Sequence, residues 1–222
     1  MDDACRQAED GAPHGAVAIA EEQTAGRGRF GRRWVSPAGN NLYLTLVLRP
    51  DVARLRMLAM AAPLAVCRAV EAVTALQPMI KWPNDVQVGG RKLAGILIES
   101  ELSGAEVAHA LVGIGLNVND PVADPEIAQI ATSLARESGH DVSREFVLAA
   151  LLNEMEALYE SGDVYDGWRE RVVTLGQDVR LAFQDEVYAG VAEDVDAEGS
   201  LLLRTSDGRL LTFEAGEVSL RA

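Results

Sequence analysis

Lysine is almost absent from this chain of 222 residues: Lys81 and Lys92 are the only two among 20 basic side chains, set against 34 acidic ones. The formal net charge of -14 argues against general binding to nucleic acid or anionic membrane, because both would be repelled at long range. Cysteine is just as scarce. Cys5 and Cys67 show no CxxC spacing and read as buried thiols, which argues against a disulfide framework or a cysteine metal site. No run approaches the roughly 20 apolar residues of a membrane span. The start, Met1-Asp2-Asp3, lacks the basic-then-apolar order of a secretory signal, so a reducing, cytoplasmic setting is expected.

Hydrophobic residues at 48% and charged residues at 24% match ordinary globular usage, so a folded chain is expected, with room for one large unit and a small one. The shortage of lysine reads in two ways. Composition drift in a high-salt or high-GC source would remove it wherever it is dispensable. Where arginine does nearly every basic task, though, two retained lysines point to a need for a compact ammonium rather than a planar fork.

Periodicity predicts the end of a helix over 3–10, stopped by Gly11, then a short buried strand over 16–20. Glycine, arginine, proline and asparagine make 24–41 a loop, and Leu42, Leu44, Leu46 and Leu48 alternate as a strand with one strongly apolar face. A core helix is expected over 53–75, with Pro63 as a kink, followed by strands at 93–102 and 107–118 joined at Ser103-Gly104. Helices are expected at 143–160 and 164–173. After Gly176 the texture changes to short strands with turns at Gln184-Asp185, Glu198-Gly199 and Asp207-Gly208. The layout is α+β with an all-β appendix, a small barrel of about 45 residues by its turn spacing, and a boundary near 175.

Residues 26–34 read Gly-Arg-Gly-Arg-Phe-Gly-Arg-Arg-Trp, four arginines inside seven positions of an acidic protein. The glycines match GxGxxG, but a dinucleotide loop must run straight into a helix, and here Ser36-Pro37-Ala38-Gly39-Asn40 follows. The physical alternative is a mobile loop whose arginines grip phosphate or carboxylate, beside the plainer readings of a solvated basic turn or a nucleic-acid tether. Ordering ten such residues costs roughly 10 kcal/mol or more of backbone entropy, whereas each charged hydrogen bond returns about 1.5 to 3, so ordering is expected to need ligand. Lys81-Trp82-Pro83-Asn84-Asp85 is turn chemistry at a strand end around a buried tryptophan. Arg91-Lys92-Leu93-Ala94-Gly95 sets a lysine at the start of an apolar strand, and 113–119 (Gly-Ile-Gly-Leu-Asn-Val-Asn) supplies close backbone approach and amides.

In this order, and with Glu21-Glu22-Gln23-Thr24-Ala25 and Ser36-Pro37 around the loop, these motifs resemble the catalytic domain of bacterial and archaeal biotin protein ligases. Leu175-Gly176-Gln177 and 213–218 (Phe-Glu-Ala-Gly-Glu-Val) resemble that family's SH3-like C-terminal domain. The resemblance implies a class II synthetase-like α+β catalytic domain over 1–174, with a mixed or antiparallel sheet, and a small β-barrel over 175–222. It implies ATP-dependent activation of biotin to biotinoyl-5′-AMP and transfer to a lysine of a biotin carboxyl carrier protein or domain. Gln23, Gly26, Arg27, Lys92 and Gly95 would surround biotin, with Arg29 beside them. Arg29, Arg32, Trp34, Lys81, Asn84 and Asn117 would hold ATP and the adenylate, Asp85 would hold Mg²⁺, and Lys92, Arg29 and Asp85 would carry the chemistry. A homodimer is compatible with the resemblance.

The family's Thr/Ser-rich biotin-contacting segment has no counterpart ahead of Asp2, so either the true start lies upstream or the biotin site is weak. A DNA-binding helix-turn-helix is likewise not matched, and autoregulation through DNA is not expected. Two rival readings stand beside this one: a lipoyl or octanoyl ligase, which also makes acyl-adenylates, and a non-catalytic biotin-binding remnant.

Overall fold

The computed structural model describes residues 1–120, 122, 127–184 and 186–220. Helix α1 (Asp2–Glu9) precedes β1 (Ala16–Ala20), and the arginine-rich loop leads to β2 (Leu42–Leu48). Helix α2 (Val52–Val73) starts where the Asp51 carboxylate accepts the Arg54 N–H at 2.7 Å, which meets one of the unpaired donors of a helix start. Then come β3 (Met79–Lys81), β4 (Asp85–Val88), β5 (Arg91–Ser103) and β6 (Glu106–Leu116). Four helices follow, α3 (Ile127–Ile130), α4 (Leu134–Ser138), α5 (Arg144–Ser161) and α6 (Tyr165–Arg169). The chain ends in β7 (Asp178–Phe183), β8 (Glu186–Val195), β9 (Leu201–Thr205), β10 (Leu210–Phe213) and β11 (Glu217–Leu220).

The first six strands form one sheet in the order β1-β2-β6-β5-β4-β3, the last five a second in the order β10-β9-β8-β7-β11, and neighbouring strands are antiparallel throughout. An α+β chain with two antiparallel sheets follows: the residue patterns predict the α+β layout, and the antiparallel pairing is one of the two sheet types that the resemblance implies. No helix among the described residues is long and apolar enough to cross a membrane.

Helix α5 turns Val147, Leu151, Met155 and Leu158 inward at helical spacing, and these share one core with α2 and with Leu42, Leu44, Leu46 and Leu48. The expectation of a single apolar face on β2 is corrected, because all seven of its residues are buried. On the face away from α2, Val47 and Leu111 meet Ala4 and Ala8 of α1, whose small side chains let the helix lie close. Cys67 lies within α2, where burial pushes its thiol up to about 12. Cys5 is only half-buried, a correction to its expected burial that follows from its place at the edge of α1.

Helix α6 is shorter than the predicted 164–173. The Ile80 N–H donates to the Arg171 carbonyl at 2.8 Å and the Val173 N–H to the Ile80 carbonyl at 2.9 Å, so β3 captures this backbone before the helix can extend. The turns at Glu198-Gly199 and Asp207-Gly208 contain glycines at φ 86° and 85°, a region that costs other L-residues strain. Asp185, in the third predicted turn, lies outside the described residues.

Trp82 is 2% exposed, and its indole Nε1 donates to the Gly199 carbonyl at 3.0 Å, tying the Lys-Trp-Pro-Asn-Asp turn to the second sheet. Trp82→Ala is expected to lower stability by about 3–5 kcal/mol in denaturant unfolding, from lost burial, the cavity left behind and a stranded carbonyl. A loss below about 1 kcal/mol would show that the neighbours collapse into the gap.

Candidate functional site

Strand register places one residue from each strand in a single row across the six-stranded sheet: Ala20, Tyr43, Gly115, Gly95, Asp85 and Lys81. The two central positions are glycines, so the middle of this face has no side chains. A cavity of about 1010 Å³ opens there, at the upper end of the roughly 300–1,000 Å³ of small-molecule sites. All twelve residues singled out from the sequence line it: Gln23, Gly26, Arg27, Arg29, Arg32, Trp34, Lys81, Asn84, Asp85, Lys92, Gly95 and Asn117.

The Trp34 indole fills the gap above the glycines. A Cβ on Gly115 would stand 2.6 Å from its Cε2 and Nε1, and one on Gly95 would stand 3.0 Å from its Cζ3. Trp34 Nε1 is buried without a protein partner. Lys92 Nζ sits 5.2 Å from the indole centroid and 2.6 Å from Asp85 Oδ1, one row away. Both charged side chains keep partial exposure, at 32% and 25%, so the pair faces the cavity rather than the core.

The arginine loop is more structured than its composition predicts. Trp34 N–H donates to the Gly26 carbonyl at 2.9 Å and Gly28 N–H to the Arg32 carbonyl at 2.7 Å, and Arg27 bridges Arg33, so 26–34 closes on itself as a narrow hairpin. These backbone bonds offset part of the ordering cost of the loop. A short 3-10 turn at Arg29–Gly31 forms its tip, with Phe30 at φ 56° and 67% exposed.

Ion pairs and a hydrogen bond from its arginines pin the hairpin over the cavity. Arg29 Nη1 donates to Asn84 Oδ1 at 3.2 Å, Arg32 pairs with Glu217 of β11 at 2.5 Å, and Arg27 pairs with Asp2. Burial lowers the pKa of Arg29, while the carboxylates of Asp85 and Glu217 pull it back up; a guanidinium stays charged throughout. Gln23 Oε1 accepts the Ser36 hydroxyl at 2.8 Å, and Gly26 is packed so tightly that a Cβ would stand 2.4 Å from the Trp34 carbonyl. Asn84 Nδ2 donates to the Ile96 carbonyl at 2.6 Å and Asn117 Nδ2 to the Thr132 carbonyl at 3.0 Å, so both amides are already oriented. Lys81 lies at the far end of the row and makes no ion pair among the described residues.

Beyond close backbone approach at Gly115, the motifs carry no role for Gly115 or Glu217, yet both form cavity wall. Gly113 and Gly115 alternate on one face of β6, and that period-2 spacing was the available signal for Gly115. Glu217 carried none, because its neighbour Arg32 lies 185 positions away.

Gly115→Val is expected to expel Trp34 from the sheet, since a Cβ alone would overlap the indole. Trp82 and Trp168 are buried at 2% and 1%, so a red shift and stronger acrylamide quenching of the ligand-free protein would report Trp34. Emission that stays unchanged, or that shifts equally in a Trp34→Phe background, would refute this packing.

Residues 7–117 match the biotin/lipoate A/B protein ligase family, and 174–221 match the biotin protein ligase C terminal domain. The biotin--[acetyl-CoA-carboxylase] ligase of Paracoccus denitrificans is 37% identical over 87% of this chain and 86% of its own length. The bifunctional ligase/repressor BirA of Bacillus spizizenii is 36% identical over 90% of this chain, which spans just under two thirds, 65%, of that relative. Among solved structures, the Aquifex aeolicus biotin protein ligase in complex with biotin and ATP superposes with a TM-score of 0.79 at 31% identity, over 97% of this chain and 93% of that one. By these matches, and with the cavity built on the very residues the motifs supply, the chain belongs to the biotin/lipoate A/B protein ligase family.

Proposed function

We propose that this protein activates biotin with ATP to biotinoyl-5′-AMP and passes the biotinoyl group to a lysine of a biotin carboxyl carrier protein or domain. The observation that supports it most is the meeting of Lys92, Asp85 and Trp34 over paired glycines under an arginine hairpin. An apolar slot beside one ammonium suits a ligand that is a flat, uncharged ring system ending in a carboxylate. Gln23, Gly26, Arg27 and Gly95 line the biotin end, with Arg29 reaching it from the hairpin. Arg29, Arg32, Trp34, Lys81, Asn84 and Asn117 line the nucleotide end.

Lys92 holds the biotin carboxylate against the α-phosphate and offsets charge there as the carboxylate attacks and pyrophosphate leaves. Positioning and charge neutralisation supply the rate, and no protein nucleophile is needed. In the second step the acceptor amine attacks the anhydride carbonyl and AMP leaves, with Asp85 placed to take the amine's proton. Among the described residues no group of three or more His, Cys, Asp and Glu could hold a metal by itself. Asp85 fits a Mg²⁺ that arrives with ATP, since such ions commonly rest on one or two carboxylates plus phosphate oxygens. Residues 1–174 act as the catalytic domain in this reading, and 175–222 as an SH3-like barrel whose Glu217 touches the hairpin, in a cytoplasmic enzyme.

The family name covers lipoate as well, so the deciding experiment compares the two acids. Incubation with ATP, Mg²⁺ and either biotin or lipoate, followed by mass spectrometry, is expected to give the biotin adenylate. An adenylate from lipoate alone would transfer the site to that substrate, and none from either acid would leave a binding remnant.

A further inference from the structure

Thr132 and Ser133 are fully buried polar residues in a stretch that sequence patterning left unassigned. Thr132 spends each polar group on a different neighbour. Its N–H donates to the Lys92 carbonyl at 2.9 Å, its own carbonyl accepts from Asn117 Nδ2 at 3.0 Å, and its hydroxyl donates to the Glu137 carboxylate. The same Glu137 oxygen accepts from Arg91 Nη2 at 2.6 Å. Arg91 immediately precedes Lys92.

One carboxylate on α4 therefore grips both the residue before Lys92 and the residue bonded to the Lys92 backbone. The knot extends further, because Asn117 N–H donates to the Leu93 carbonyl at 3.0 Å and Leu134 N–H to the Asn117 carbonyl at 3.1 Å. Ala131, a cavity-wall residue, pairs in parallel with Lys92. The side chain of Glu137 is only 14% exposed and does not line the cavity itself. A lysine side chain is long and flexible, so where its ammonium arrives depends on how firmly its Cα is set. A displacement of about 1 Å in a reacting geometry can cost roughly 100-fold in rate.

We propose that Glu137 is a positioning residue for adenylation, holding Lys92 and Asn117 in register with the cavity through Arg91 and Thr132. This rests on the adenylating function proposed above. Lys92 is one of several groups proposed to touch biotin, whereas attack at the α-phosphate depends on where its ammonium stands, so the loss should fall mainly on turnover and only slightly on biotin binding.

The experiment compares Glu137→Ala, Glu137→Gln, Thr132→Val and Thr132→Ser with wild type, reading biotin-dependent pyrophosphate release, the biotin dissociation constant by calorimetry and the melting temperature. Glu137→Ala and Thr132→Val are expected to lower kcat about tenfold or more while the biotin constant changes less than about threefold. Thr132→Ser keeps the hydroxyl and is expected to retain near-wild-type kcat. The double variant Glu137→Ala with Thr132→Val should be no slower than the worse single one, since both break one link. Should Glu137→Ala fail to fold, Glu137→Gln and Thr132→Val carry the test. A lower melting temperature with unchanged kcat, or an equal loss in Thr132→Ser, would overturn the inference. A wild type that binds biotin yet forms no adenylate would overturn the proposed function first, and this inference with it.

Discussion

Lys92→Ala is expected to abolish adenylate formation while leaving the fold intact. The ammonium stands 2.6 Å from Asp85 and beside the Trp34 indole, and the chain has only one other lysine, at the far end of the sheet row. In the proposed reaction, removing it takes away the compact charge assigned to the biotin carboxylate and leaves Asp85 facing two anionic substrates with its partner gone. Deleting one preorganised electrostatic group costs about 10²–10³ in rate in comparable sites. Added repulsion from Asp85 should take the activity below detection. The fold depends little on the pair, because both partners are partly exposed and such pairs contribute at most about 1 kcal/mol. Lys92→Arg should not rescue activity, since a broad guanidinium does not fit the space against Gly95, where Lys92 Nζ already lies 3.3 Å from the position of a Cβ. Biotin-dependent pyrophosphate release measures the effect, and release retained in the alanine variant would refute the role.

The parts of the fold carried by periodic residue patterns could be read from the sequence. Helix α5 and strand β2 have repeats of 3.6 and 2, and each lies within a residue or two of its predicted place. Helices α3 and α4 could not be read in this way, because they are 4 and 5 residues long and are held by bonds to distant backbone, such as Ala135 N–H to the Val118 carbonyl at 2.8 Å. The β3–β4 hairpin was visible only as a turn, since its strands have 3 and 4 residues and offer no alternation to count.

The candidate site divides along the same line. The family resemblance carried by the motifs and their order gathered Gln23, Arg29, Trp34, Asp85 and Lys92, and the cavity contains all of them. Register was out of reach, because the pairing of Gly95 with Gly115 follows from where β5 and β6 start rather than from their composition. Contacts between distant segments were equally hidden. The hold of Glu217 on Arg32, 185 positions away, and of Glu137 on Arg91, 46 positions away, is a product of tertiary packing, with no local spacing to announce it.

Arg29→Ala is expected to turn a retained intermediate into a released one. Arg29 is the hairpin's link to the Asn84 turn, at 3.2 Å, and its guanidinium stacks 4.9 Å from the Phe30 ring at the tip. Without it the hairpin keeps its internal backbone bonds and the exposed pairs of Arg32 with Glu217 and of Arg27 with Asp2, which are weak latches. One charge-assisted hydrogen bond contributes about 1.5–3 kcal/mol, so the dissociation rate of the adenylate should rise roughly 10- to 100-fold. Released biotinoyl-AMP acylates any accessible amine, because the anhydride needs no enzyme to react. The ratio of biotin on a bystander protein to biotin on the carrier should therefore climb, even though total adenylate production falls with the loss of phosphate contacts. Streptavidin blotting of serum albumin and carrier in one tube reads that ratio. If it stays at the wild-type value while adenylate is still made, the adenylate is held by something other than the hairpin's arginine.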